Sequence, residues 1–80
     1  ENFYLCLIDE NPAGYVGVID LDIRVATHPE FQGKGVGKFM INALMTLYPE
    51  SFAKIKVENT ASLRLFESCG FSKKYYILEK

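Results

Sequence analysis

Seven residues, Gln32-Gly33-Lys34-Gly35-Val36-Gly37-Lys38, hold three of the chain's six glycines and two of its lysines. Glycines leave their backbone N–H groups unshielded, and the first turn of a helix leaves its N–H groups without partners. Such a run between a strand and a helix is a cradle for a phosphate or pyrophosphate, and Lys34 and Lys38 add positive charge beside it. Two familiar phosphate loops do not fit. The pattern G-x-x-x-x-G-K-[ST] fails because Gln32 stands where Gly is needed and Phe39 replaces Ser or Thr. The pattern G-x-G-x-x-G fails because Lys38 follows the Gly33/Gly35 pair and Met40 follows Gly35/Gly37. What fits is Gln-x-x-Gly-x-Gly preceded by His28-Pro29-Glu30-Phe31. The competing reading is a turn whose glycines only let strand and helix pack closely.

The elements around this loop follow from periodicity. Phe3-Tyr4-Leu5-Cys6-Leu7-Ile8 is an apolar strand, and Asp9 to Gly14 is a cluster of turn formers. Tyr15 to Ile19 completes a hairpin. Asp20-Leu21-Asp22 is a tight joint, and Ile23 to Thr27 is a third strand with Ile23, Val25 and Thr27 on one face. His28-Pro29 ends it. Val36, Phe39, Met40, Ala43, Leu44 and Leu47 then recur at helical spacing, so a helix of about three and a half turns begins near Gly35 and stops at Pro49. Phe52 to Val57 reads as a strand. Asn59 or Thr60 caps a short helix whose stripe is Ser62, Leu65, Phe66 and Cys69, and Gly70 ends it. Lys73 to Leu78 reads as a last strand. The order β-β-β-α-β-α-β predicts an α+β fold, a mixed sheet with two helices packed on it, in one domain over residues 1–80.

Composition narrows the function classes. The chain has 80 residues, is 49% hydrophobic and has a net charge of −1. It is too apolar for a disordered tail, and it is not a nucleic-acid binder by charge. No uncharged run approaches 18 residues, so no membrane span is expected. No basic leader precedes Phe3, and Cys6 and Cys69 are too few for a disulfide framework. Two free thiols and a cytoplasmic location are therefore expected. Charge is uneven. Residues 1–23 carry five acids and no base, whereas residues 24–80 carry nine bases against five acids, a balance of +4. The second part would meet an anion and the first a cation.

Thr27 to Gly37 resembles the acetyl-CoA-binding motif of the GNAT superfamily of N-acetyltransferases. A second block, Asn59-Thr60-Ala61-Ser62-Leu63-Arg64-Leu65-Phe66-Glu67-Ser68-Cys69-Gly70-Phe71, is similar to that family's Asn-x-x-Ala/Ser-x-x-x-Tyr-x-x-x-Gly-Phe segment. The two blocks occur in order, and the resemblance covers residues 14–78. It implies a GNAT-like acyl-CoA N-acyltransferase core that binds acetyl-CoA and acetylates a primary amine by direct attack on the thioester. By the same resemblance, Val25, Ala26 and Thr27 would offer backbone groups to the pantetheine arm. Gln32, Gly33, Lys34, Gly35, Val36, Gly37 and Lys38 would hold the pyrophosphate, and Asn59 and Phe66 would line the cofactor's path. The implied acceptor is a small-molecule amine or an amino sugar, ahead of a protein amine. The Ser62/Phe66 variant looks like that of nucleotide-amino-sugar acetyltransferases. No metal is implied.

The sequence departs from that family in two ways. Phe66 stands at the position of the Tyr that often protonates the leaving thiolate, so no catalytic acid is inherited; Tyr75 and Tyr76 are the substitutes to weigh. Lys54 stands where some relatives carry a basic Glu. Asp20, Asp22, Glu30 and Glu58 read as solvated charges, and His28 as a turn residue. The strand and two helices that usually precede the hairpin are absent. The chain is then a minimal member, a fragment of a longer acetyltransferase, or a half-site that pairs with a second copy, and an open first-strand edge predicts a homodimer. Binding acyl-CoA without turnover is the alternative function.

Overall fold

The computed structural model describes residues 2–80. Three strands, β1 (Asn2–Ile8), β2 (Asn11–Ile19) and β3 (Asp22–Thr27), form an antiparallel sheet in the order β1-β2-β3. A single 3-10 turn, Pro29–Phe31, leads to helix α1 (Val36–Leu47), and helix α2 spans Thr60–Ser68. The protein is thus a small α+β fold with a three-stranded sheet and two helices.

Both hairpins close through two-residue turns. Asp9 and Glu10 (φ 50° and 67°) join β1 to β2, and Asp20 and Leu21 (φ 50° and 66°) join β2 to β3. Positive φ at both central residues gives the chain reversal the twist that suits paired strands. The first turn is therefore shorter than the Asp9–Gly14 cluster suggested. Pro12 and Gly14 lie inside β2, and Pro12 is accommodated by a register shift between Cys6 and Leu7.

Val16 and Val18 of β2 and Ile23 of β3 are buried on one sheet face, against Val36, Met40, Ile41 and Leu44 of α1 and Phe66 of α2. Fully burying Met40, Ile41 and Leu44 contributes about 1.5–3 kcal/mol each. The buried stripe of α1 is rotated from the expected one. Phe39 and Leu47 are 65% and 57% exposed, while Ile41 is fully buried. The helix lies over β2 and β3, so its Phe39–Ala43–Leu47 flank overhangs an open groove toward Tyr4 and Cys6 of β1.

The fourth and fifth strands of the expected mixed sheet do not form. Near Phe52 the chain joins the sheet by a single parallel bridge to Asp22, through Ile23 N–H to the Phe52 carbonyl (2.8 Å) and Phe52 N–H to the Leu21 carbonyl (3.0 Å). Beyond it residues 53–57 diverge from β3. Their alternation persists, with Ala53 and Ile55 half-buried and Lys54 and Lys56 exposed, but no ladder does. Residues 73–78 also lack a strand, and Tyr75 and Tyr76 are almost fully exposed. High β propensity makes a strand only where a partner edge is in reach.

Candidate functional site

The glycine-rich loop links the end of β3 to α1. Gln32 (φ −69°, ψ 147°) followed by Gly33 (φ +76°) has the backbone of a type II turn, which requires glycine at its second central position. Gly35 (φ +80°, ψ 6°) is the N-cap of α1 and has no side chain to cap it. The first helical bond is Phe39 N–H to the Gly35 carbonyl at 3.0 Å. From Gly33 to Lys38, no backbone N–H reaches a protein acceptor with ordinary hydrogen-bond geometry among the described residues. A β-carbon built at Gly33 or Gly35 would meet nothing within 4 Å, so the loop is uncovered on that side of both glycines. Gly37 differs. A β-carbon there would lie 3.0 Å from Leu65 Cδ2, so this glycine lets α1 and α2 approach each other. Close packing therefore accounts for Gly37, while Gly33 and Gly35 are the open positions of the motif.

Side chains brace the loop. The Gln32 amide donates to the Thr27 carbonyl at 3.3 Å, and His28 Nδ1 accepts from Glu30 N–H at 3.2 Å. Gln32 and His28 thus act on the backbone of the loop itself. Lys34 Nζ lies 5.7 Å from the centre of the Phe31 ring, a cation–π contact that holds its charge beside the loop. Lys38 is exposed on the first turn of α1, and the Val36 side chain is buried, leaving only its N–H toward the loop.

A cleft of about 350 Å³ opens between β3 and residues 53–57, and Val25, Ile55, Asn59, Ser62 and Phe66 line it. Ile23 N–H points away from β2, to Phe52, so by antiparallel alternation the peptide groups of Val25 and Thr27 also face this open side. Those of Ala26, opposite Tyr15, belong to the ladder with β2. Asn59 Oδ1 accepts from Ser62 N–H at 3.1 Å and caps α2, which leaves its amide NH₂ free to donate. Phe66 is 5% exposed and meets the Phe71 ring edge-on, at 5.1 Å between centroids, so it is a wall of the cleft without a polar atom. Tyr75 and Tyr76 are not brought to the cleft.

Tyr15, Arg24 and Lys56 also line the cleft and were missed. The available signal was phase. Tyr15 and Arg24 alternate with the core residues Val16, Val18, Ile23 and Val25, which puts them together on the opposite sheet face. Arg24 pairs with Asp22 at 3.4 Å, and Lys54 Nζ lies 4.0 Å from the same carboxylate oxygen. Of the acids of the first third among the described residues, Asp22 alone lies beside these cations. Asp9, Glu10 and Asp20 occupy the hairpin turns.

No helix among the described residues is long and apolar enough to cross a membrane. A model of the acetyltransferase (GNAT) family matches residues 1–71. A search of curated proteins finds no match to the chain.

Proposed function

The chain belongs to the acetyltransferase (GNAT) family, and from that premise we propose that it binds acetyl-CoA across the loop and cleft and transfers the acetyl group to a primary amine. The observation that carries this reading is the run of N–H groups from Gly33 to Lys38 that make no close hydrogen bond to the protein among the described residues, in a loop with positive φ at Gly33 and Gly35 that opens α1. Such groups at a helix start suit a pyrophosphate, and Lys34 and Lys38 supply counter-charge. The outward peptide groups of Val25 and Thr27 would take the pantetheine amides as an added strand would, with the Thr27 carbonyl shared with Gln32. The free amide of Asn59 would donate to the same arm, and Phe66 would shield it from water.

Acetyl-CoA supplies a thioester whose carbonyl carbon accepts the amine. The nitrogen–carbon bond forms, the carbon–sulfur bond breaks, the nitrogen loses a proton to water and the sulfur gains one. Backbone N–H of β3 on its open side would stabilise charge on the carbonyl oxygen. Phe66 gives the sulfur no proton, so water in the half-open cleft is the donor. The acceptor is a small amine or amino sugar, ahead of a protein amine. Free Cys6 and Cys69 suit a reducing cytoplasm. Exposed Phe3 and Leu5 on β1 suit pairing with a second copy.

Calorimetric titration with acetyl-CoA tests the reading, with dephospho-CoA and NADH as controls. Saturable binding of acetyl-CoA, one per chain or per pair, is expected. A folded chain that fails to bind refutes it. One observation favours a second reading, binding without turnover: the cleft wall at Phe66 has no proton donor. Thioester consumption with an amine present separates the two.

A further inference from the structure

We propose that the amine acceptor carries an anionic group, a phosphate or a carboxylate, and that Arg24, Lys54 and Lys56 recognise it at the mouth of the cleft. This inference rests on the reading of the site as an acetyl-transfer site and adds the chemical class of the acceptor.

Three cations from two separate segments, β3 and residues 53–57, line one cleft. The one carboxylate paired with them among the described residues is Asp22, shared between Arg24 at 3.4 Å and Lys54 at 4.0 Å. Lys56 has no salt-bridge partner among the described residues. The set thus keeps a surplus of two positive charges beside a partly apolar wall. A cationic amine would meet repulsion there, a neutral one would gain no charge attraction, and an anionic substituent would be attracted. The chain's overall charge of −1 makes this surplus local.

The phosphates of the acyl donor do not account for these cations. The N–H cradle and Lys34 and Lys38 lie beyond Thr27, at the C-terminal end of β3. Arg24 is three residues before Thr27, about 10 Å back along an extended strand. Arg24 also lies next to the Asp22–Phe52 bridge that closes the other end of the gap. Tyr15, on the same sheet face as Arg24 and half-exposed, gives an aromatic edge against which the acceptor's carbon skeleton can rest. Asp22 positions the set, because one carboxylate oxygen near both Arg24 and Lys54 keeps the two cations from splaying apart.

The test uses three amines built on the same two-carbon spacer that differ in the terminal group: ethanolamine, phosphoethanolamine and β-alanine. Acetyl-CoA binding is measured first, and its absence overturns the underlying reading and not the charge assignment alone. On the CoA-loaded chain, which has no acetyl group to transfer, calorimetry should show phosphoethanolamine or β-alanine binding at least tenfold more tightly than ethanolamine. The stronger of the two identifies phosphate or carboxylate. The preference should shrink at least fivefold in Arg24→Gln and in Lys56→Met, and fall as salt rises from 0.05 to 0.5 M, roughly the range over which screening shortens to a few ångströms. Far-UV circular dichroism of each variant verifies the fold. Equal binding of the three amines, no binding of any of them to the loaded chain, or a preference unchanged in both variants overturns the proposal.

Discussion

Replacing Gly35 by alanine tests the phosphate cradle with a single methyl group. Gly35 sits at φ +80°, and the space where its β-carbon would go is empty to 4 Å, so the substitution causes strain without a clash. A non-glycine residue in the left-handed region costs about 1–2 kcal/mol. For a domain of this size that corresponds to a Tm lower by about 5–15 °C. The methyl group also adds bulk to the loop that would hold the phosphate. Displacing even one charge-assisted hydrogen bond costs about 1.5–3 kcal/mol, so the Kd for acetyl-CoA should rise at least about tenfold. Gly70→Ala separates strain from site. Gly70 has φ +90° and equally open surroundings, but lies at the end of α2, outside the loop. It should lose comparable stability and keep the affinity. Calorimetric titration and thermal melts of both variants give the two numbers. A folded Gly35→Ala chain that binds as tightly as the parent, or a Gly70→Ala chain that loses as much affinity, would refute the cradle.

Asn59 has a structural and a proposed binding role, which two substitutions distinguish. Asn59→Ala should cost about 1 kcal/mol through the lost cap, while Asn59→Asp should keep the cap and weaken acetyl-CoA binding by losing the amide donor, read by melts and titration. Phe66→Ala should cost about 3–5 kcal/mol, and far-UV circular dichroism should show a largely unfolded chain. Glu10→Gly removes a positive-φ side chain from a turn (φ 67°) and should raise stability by about 0.5–1 kcal/mol in urea melts. Tyr4 titrates above the ordinary tyrosine range, first because its hydroxyl is hydrogen-bonded to that of Tyr48 at 3.1 Å. The bond favours the neutral phenol, so its contribution holds below the ordinary pKa and is lost as pH rises through the raised one. Tyr48→Phe should return the ultraviolet titration of Tyr4 toward the ordinary range.

Much of the site was legible locally. Positive φ at Gly33 and Gly35 follows from residue type at a strand-to-helix joint, and the cap at Asn59 from a polar residue three before Ser62. The core face of β2 and β3 followed from alternation. The stripe of α1 was misjudged because Phe39, Met40, Ile41 and Leu44 are all apolar, and periodicity alone does not choose among overlapping arcs. Tyr75 and Tyr76 carry the hydroxyl that Phe66 lacks and would reach the sheet only on a last strand, yet propensity says nothing of whether a partner edge is near.

What residue type and spacing decide here is everything that depends on neighbours along the chain: the hairpins, the two helices, and the glycine loop with its positive-φ positions. Turns, caps and helix starts are short-range events, governed by φ preferences and by the N–H groups each element leaves unpaired. Only packing decided that residues 53–57 separate from β3 after one bridge, that α1 rests on β2 and β3 and leaves Phe39 exposed, and that Arg24, Lys54 and Lys56 converge on one cleft. Those outcomes depend on contacts between segments some thirty residues apart, where small differences in burial and pairing set the geometry, and no local pattern encodes them.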